Sequence, residues 1–258
     1  GNIDLVEYLT NNGLDINAIS NYEDTCLTFA TKYSHEDIAI YLINKGANIN
    51  GKILEIASKN KLYKLLNKLI SKKVNKNFTD NDGRSSLINS VISQDYEMTT
   101  YLVKNKADLN LKDKFGLSSL HYACILDNKK IVNFLLENGA DINIKDNFGN
   151  NCLTYSMHSD KLDIIKDLVN YGINLNEFNS KNETPIMFAF KKNKINISLY
   201  LLKNGAKLNF VNDNIKELDY ISDLNFHKEI VELIKENSQY VKFHGNPKQS
   251  NINKYFNK

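Results

Sequence analysis

The chain has 258 residues, 42% of them hydrophobic and 24% charged, the make-up of a folded globular protein rather than of a low-complexity or collagen-like one. No apolar run is long enough to cross a membrane, and three cysteines at wide spacings (Cys26, Cys124, Cys152) argue against a disulfide framework and for a reducing compartment. The formal charge of +3 is unevenly placed: residues 239–258 carry Lys242, Lys248, Lys254 and Lys258 and no acid, leaving −1 on residues 1–238, so the body of the chain is a poor binder of nucleic acid or other polyanions.

In chain order, one phrase recurs. "YLTNNGLDIN" begins at Tyr8 and "YLINKGANIN" at Tyr41; "LVKNKADLN", "LLENGADIN", "LVNYGINLN" and "LLKNGAKLN" follow. Taking the Gly of the phrase as anchor, equivalent positions are Gly13, Gly46, Lys73, Lys106, Gly139, Gly172, Gly205 and Ser238, spaced by 33 residues except for one interval of 27. A second anchor, the small residue at Ala30, Ala57, Ser90, Ala123, Ser156, Ala189 and Ser222, gives the same spacings. The register divides residues 1–238 into a half module (1–18), modules 19–50, 51–77 (shortened), 78–110, 111–143, 144–176 and 177–209, and a C-terminal capping module (210–238), followed by the basic tail 239–258. Residue 1 falls inside a module, so a longer parent protein, with a targeting segment upstream, is an expectation.

Each module predicts two helices and a loop. In "SSLHYACIL" (118–126), Leu120, Ala123 and Cys124 make one helical face; in "NKKIVNFLLEN" (128–138), Ile131, Val132, Leu135 and Leu136 make another. Gly139 stands at the C′ position, where a left-handed backbone suits glycine, and Lys73 and Lys106 take that place at some cost in strain. "ADINIKDNFG" then predicts an extended finger closed by a tight turn, and Thr25, Ser85, Ser118 or Thr184 caps the next first helix. The module from Asn50 lacks six residues, those of the finger turn. Its helices persist in the stripe Leu54, Ala57, Leu62, Leu65, Leu66, Leu69 and Ile70, so the row of fingers is expected to have a notch between Asn50 and Lys52.

The period and the phrases "GLSSLHYA" (116–123) and "ETPIMFA" (183–189) resemble the ankyrin repeat, over about residues 1–238. Thr184-Pro185 keeps the first half of that family's Thr-Pro-Leu-His turn and Leu120-His121 the second. The resemblance implies an all-α solenoid of stacked helix–turn–helix units with short β-type finger loops, one unit lacking its finger. Eight layers about 8–10 Å apart would make a curved rod on the order of 70 Å long, with a long concave face and no enclosed pocket. It also implies that His121 bonds backbone across its turn.

Catalytic chemistry is not legible. None of His35, His121, His158, His227 and His244 lies in a zinc-type spacing, and no phosphate-binding, dinucleotide-binding or nucleophile-elbow motif occurs. Acid pairs such as Glu36-Asp37 read as solvated helix faces. The expectation is a non-enzymatic, monomeric protein-interaction scaffold or adaptor without metal or cofactor, cytoplasmic, with the nucleus as the other compartment. The alternatives are a replication-clamp-tethered nuclear or viral factor, using a box at Gln249–Phe256 in the tail, and the recognition arm of a larger multidomain effector.

Carrying the register along places Asn81, Asp82, Lys114, Phe115, Asn147, Phe148, Ser180 and Lys181 at finger tips, and Ile92, Ser93, Ile125, Leu126, His158, Ser159, Lys191 and Lys192 on the concave side of first helices. Most are polar. The exception is Phe115, Leu117, Ile125, Leu126 and Phe148, an apolar cluster in two adjacent modules, and with Lys114 and His158 these are the candidate partner-binding residues. Packing of Ile125 and Leu126 between modules, with both Phe rings folded onto the fingers, is the competing reading. In the tail, "QSNINKYF" (249–256) resembles the box that docks proteins on the replication sliding clamp, with Gln249, Ile252, Tyr255 and Phe256 as its contact residues; capping of the last module is the alternative.

Overall fold

Every first helix starts where a short polar side chain can take a backbone N–H that the helix leaves unbonded. In a computed structural model, which describes residues 1–22 and 24–207, Thr25, Asn50, Ser85, Asn151 and Thr184 each cap a first helix by accepting from the third residue on. Ser118 shares its cap with His121, whose Nδ1 accepts from the Ser118 N–H at 3.1 Å. Among the described residues there are 13 helices and no strand; an isolated antiparallel bridge joins Thr79 and Ser85 at the base of one finger.

The chain divides into two compact units, Gly1–Asp141 and a second that begins at Ile142. The first holds α1 (Ile3–Asn11), α2 (Cys26–Lys32), α3 (Glu36–Asn44), α4 (Gly51–Lys59), α5 (Tyr63–Ser71), α6 (Ser86–Ile92), α7 (Tyr96–Lys104), α8 (Ser119–Ile125) and α9 (Lys129–Glu137). Helices pair within a module (α2 with α3, α4 with α5, α6 with α7, α8 with α9), and first helices stack on first helices, α2 on α4, α4 on α6 and α6 on α8. The second unit repeats the plan with α10 (Cys152–Ser156), α11 (Asp163–Asn170), α12 (Pro185–Lys191) and α13 (Ile195–Lys203), α10 packing on both α11 and α12.

Helices of five to nine residues are too short to persist alone in water; stacking holds them. The core is one apolar stripe per module, following the prediction for the modules of Leu54 and Leu120: Leu27, Ala39 and Leu42; Leu54, Leu65, Leu66 and Leu69; Leu87, Ile88 and Val91; and Leu120, Ile131 and Leu135 in the first unit. Leu153, Ile164, Ile165 and Leu168, then Ile186, Ile197 and Leu201, repeat it in the second. Each of the Leu, Ile and Val side chains contributes about 1.5–3 kcal/mol by leaving water.

The shortened module is built as expected, with one unforeseen adjustment. α4 begins directly at Gly51, and the ring of Phe78 lies so close that a Cβ there would meet it at 1.9 Å. The Glu36-Asp37 pair needs correction. Glu36 is not a solvated residue: its Oε1 accepts from the Leu65 N–H at 2.9 Å, capping α5 of the next module. The cap residue of α5, Leu62, has no side chain able to do this, and Glu36 supplies the missing acceptor from α3.

Candidate functional site

The fingers are shaped by one polar side chain each: a carboxylate, an amide or, once, a hydroxyl. Asp80 Oδ1 accepts from the N–H groups of Asp82 and Arg84, both at 2.9 Å, and Asp113 Oδ1 does the same for Phe115 and Leu117. In the second unit Asp146 holds Phe148 and Asn150, and Asn179 holds Lys181 and Glu183. Ser20 Oγ makes the equivalent pair to Tyr22 and Asp24. Such side-chain bonds add to the turn's own backbone bonds, such as that from the Gly116 N–H to the Asp113 carbonyl at 2.9 Å, and fix where the tip residue points.

The free oxygen of each carboxylate then ties the finger to its helix. The Tyr122 hydroxyl donates to Asp113 Oδ2 at 2.6 Å, Tyr155 donates to Asp146 Oδ2, and Asn89 donates to Asp80 Oδ2 at 3.1 Å. Burial, and then the Asp113 carboxylate, push the Tyr122 phenol above its ordinary range, so it stays a donor. Neighbouring fingers join through backbone: Lys114 N–H to the Asp82 carbonyl at 3.0 Å in the first unit, and Ser180 N–H to the Phe148 carbonyl at 2.8 Å in the second. This approach requires glycine at the tip. A Cβ on Gly149 would stand 3.0 Å from Ser180 N, and Gly83 meets Lys114 N at the same distance.

At the base of the fingers runs a ladder of asparagines. The Oδ1 atoms of Asn17, Asn77 and Asn110 accept from the N–H groups of Asn48, Asp108 and Asp141, each 31 residues on. Asn143 and Asn176 accept likewise from Asn174 and Lys207 in the second unit. Asn50 occupies the same register but caps α4 instead, through Ile53 N–H at 3.3 Å. Loss of the finger thus converts a ladder residue into a helix cap.

On this frame the candidate contact residues sit as follows. In the first unit Phe115 is 58% exposed at a finger tip beside exposed Lys114; Leu117 is half-buried below them; Ile125 ends α8 at 36% exposure, and Leu126, the cap residue after it, is half-buried. In the second unit Phe148 is 58% exposed on its finger, and exposed His158 stacks on Tyr155 with ring centroids 6.2 Å apart. Gln249, Ile252, Tyr255 and Phe256 lie outside the described residues.

Further aromatics share this register and escaped the sequence reading. Tyr22, in the finger-tip position of Phe115, is 84% exposed; Phe29 and Tyr33 on the first helix of that module are 39% and 61% exposed and stack with parallel rings. Counting back through the short interval of 27 residues, rather than stopping at the first complete finger after it, would have found them.

Among the described residues no helix is long and apolar enough to cross a membrane, and no group of three His, Cys, Asp or Glu side chains is placed to hold a metal ion. Family models described as ankyrin repeats (3 copies) match residues 54–146 and 141–212, and one described as ankyrin repeats (many copies) matches residues 1–43. No curated protein matches the chain. Ankyrin repeats are generally protein–protein interaction modules, and the family is typically non-enzymatic. With matches over most of its length, on a backbone of repeated helix pairs joined by fingers, the chain belongs to the ankyrin-repeat family.

Proposed function

We propose that the protein is a non-enzymatic scaffold that holds a partner protein on the surface made by finger tips and first helices. Lys114, Phe115, Leu117, Ile125 and Leu126 are its contacts in the first unit, and Phe148 and His158 in the second. The observation that supports this most is that both Phe rings are 58% exposed on fingers whose backbone is held by Asp113 and Asp146. A large apolar side chain on a rigid mount loses little conformational freedom on binding, which is the property of an interface anchor. Cys26, Cys124 and Cys152 form no disulfide, which is in keeping with an intracellular setting.

The test is the double variant Phe115→Ala/Phe148→Ala, with its fold checked by circular dichroism and thermal melting. Both rings project from the core, so the melt is expected to stay unchanged. Affinity for a partner recovered with the wild-type chain is expected to fall at least about ten-fold, the loss of one or two anchors. A change smaller than about two-fold in a folded double variant contradicts the assignment.

A further inference from the structure

Between α4 and α6 lies a groove of about 670 Å³, the size of a small-ligand site. Its α6 wall is built of small side chains, Asn89 and the cap residue Ser93 standing where the module of α2 has Phe29 and Tyr33 and that of α8 has Tyr122 and Leu126. One face of α6, formed by Ser86, Asn89, Ser90 and Ser93, is therefore short and polar, opposite Glu55, Ser58 and Lys59 of α4.

The groove holds three acids, Glu55, Asp80 and Asp95, against two bases, Lys59 and Lys61. Lys61 is paired with Asp95 at 2.7 Å, and Asp80 is bonded to two backbone N–H groups and to the Asn89 amide. Glu55 has no hydrogen-bond or ion-pair partner among the described residues, and burial followed by the Asp80 charge push its carboxyl above the ordinary range. Ser86 is 4% exposed, yet its hydroxyl has no partner among the described residues, whereas Ser119, its counterpart on α8, donates to the Leu109 carbonyl at 2.9 Å. Asn89 gives its amide N–H to Asp80, which leaves its carbonyl oxygen to accept. A carboxylate, a hydroxyl and an amide oxygen without donors thus line one groove of net negative charge.

We propose that this groove receives an arginine side chain from an extended segment of the partner, with Glu55 pairing its guanidinium and Asn89 and Ser86 accepting its remaining N–H groups. A planar fork of five donors suits several separated acceptors better than the point charge of an ammonium does. The inference rests on the scaffold reading, but it is tested without the partner. The whole ¹⁵N-labelled chain is titrated with Nα-acetyl-arginine methylamide and, separately, with the lysine and norleucine analogues. Saturable shifts at the amides of Glu55, Asn89, Ser90 and Ser93 are expected, with a dissociation constant of about 1 mM for so small a probe. Binding is expected to be about five-fold weaker in Glu55→Gln, weaker for the lysine analogue, and absent for norleucine. No saturable shift at these residues, or equal binding by Glu55→Gln or by either analogue, overturns the proposal. Phe115→Ala/Phe148→Ala leaves this titration unchanged while weakening the partner, so the two readings fail separately.

Discussion

Lys73 and Lys106 occupy the left-handed region, at φ 58° and 63°, where the other modules use glycine. Their strain was legible because the repeat register marks the place. A Cβ in that region costs about 1–2 kcal/mol, partly offset by the extra freedom glycine gives the unfolded chain. Lys106→Gly is therefore expected to stabilise the first unit by up to about 1 kcal/mol in urea denaturation, and unchanged or lower stability would contradict this. A second set of left-handed residues was not legible: Ser34, Lys61, Gln94, Asp127 and Asn193 follow first helices, and no glycine marks them. The backbone imposes the conformation, since the next residue reaches back to the helix, as His35 N–H does to the Ala30 carbonyl at 2.8 Å. Glu55 gives a residue-scale test of charge. A carboxyl whose folded value is raised is penalised when ionised, so it weakens the fold above that value and the penalty fades as pH falls. Glu55→Gln is expected to raise the melting temperature at pH 7 by about 1–2 °C and to lose that advantage near pH 4. Asp95 has the opposite sign. Burial opposes it, but the Lys61 ammonium and the Met98 N–H hold its carboxyl below the ordinary range, so its contribution is present at neutral pH and lost on acidification through that lowered value.

The finger is the element on which the account of recognition depends. Asp113, 6% exposed, serves the N–H groups of Phe115 and Leu117 and the Tyr122 hydroxyl at once. Asp113→Ala orphans all three and is expected to cost about 2–3 kcal/mol, with hydrogen exchange quickened at Phe115 and Leu117. Asp113→Asn keeps the turn acceptor, as Asn179 does in its own finger, and should cost less than half as much. Equal losses in the two variants would mean that the charge, rather than the turn geometry, holds the finger. The turn itself was legible from Asp-x-x-Gly, and the absence of one finger from a 27-residue interval. The bonds between elements were not. Periodicity reports which side of a helix is apolar, and says nothing of a glutamate on α3 reaching the start of α5 or an asparagine exchanging a ladder for a cap. Those depend on which neighbour lacks an acceptor, which is a property of pairs of modules.

At the scale of the whole molecule, a repeated unit that buries its apolar side only against its neighbours leaves its finger tips and first-helix surfaces for other molecules. Family membership and helix order were readable from two anchors in register, because stacking imposes the same small and apolar residues on every module. The proposed contact residues are harder to read, since exposed positions are free to vary and only the register picks them out. Phe115 and Phe148 stood out as aromatic, and Tyr22 did not because the short interval hid its place. The most direct measurement puts a photocrosslinking residue at 115 or 148 and, for comparison, at Lys104 or Lys166 on the exposed sides of α7 and α11. The account predicts that a discrete protein adduct forms from positions 115 and 148 and not from 104 or 166; equal adducts from the outer helices, or none from either Phe position, would contradict it.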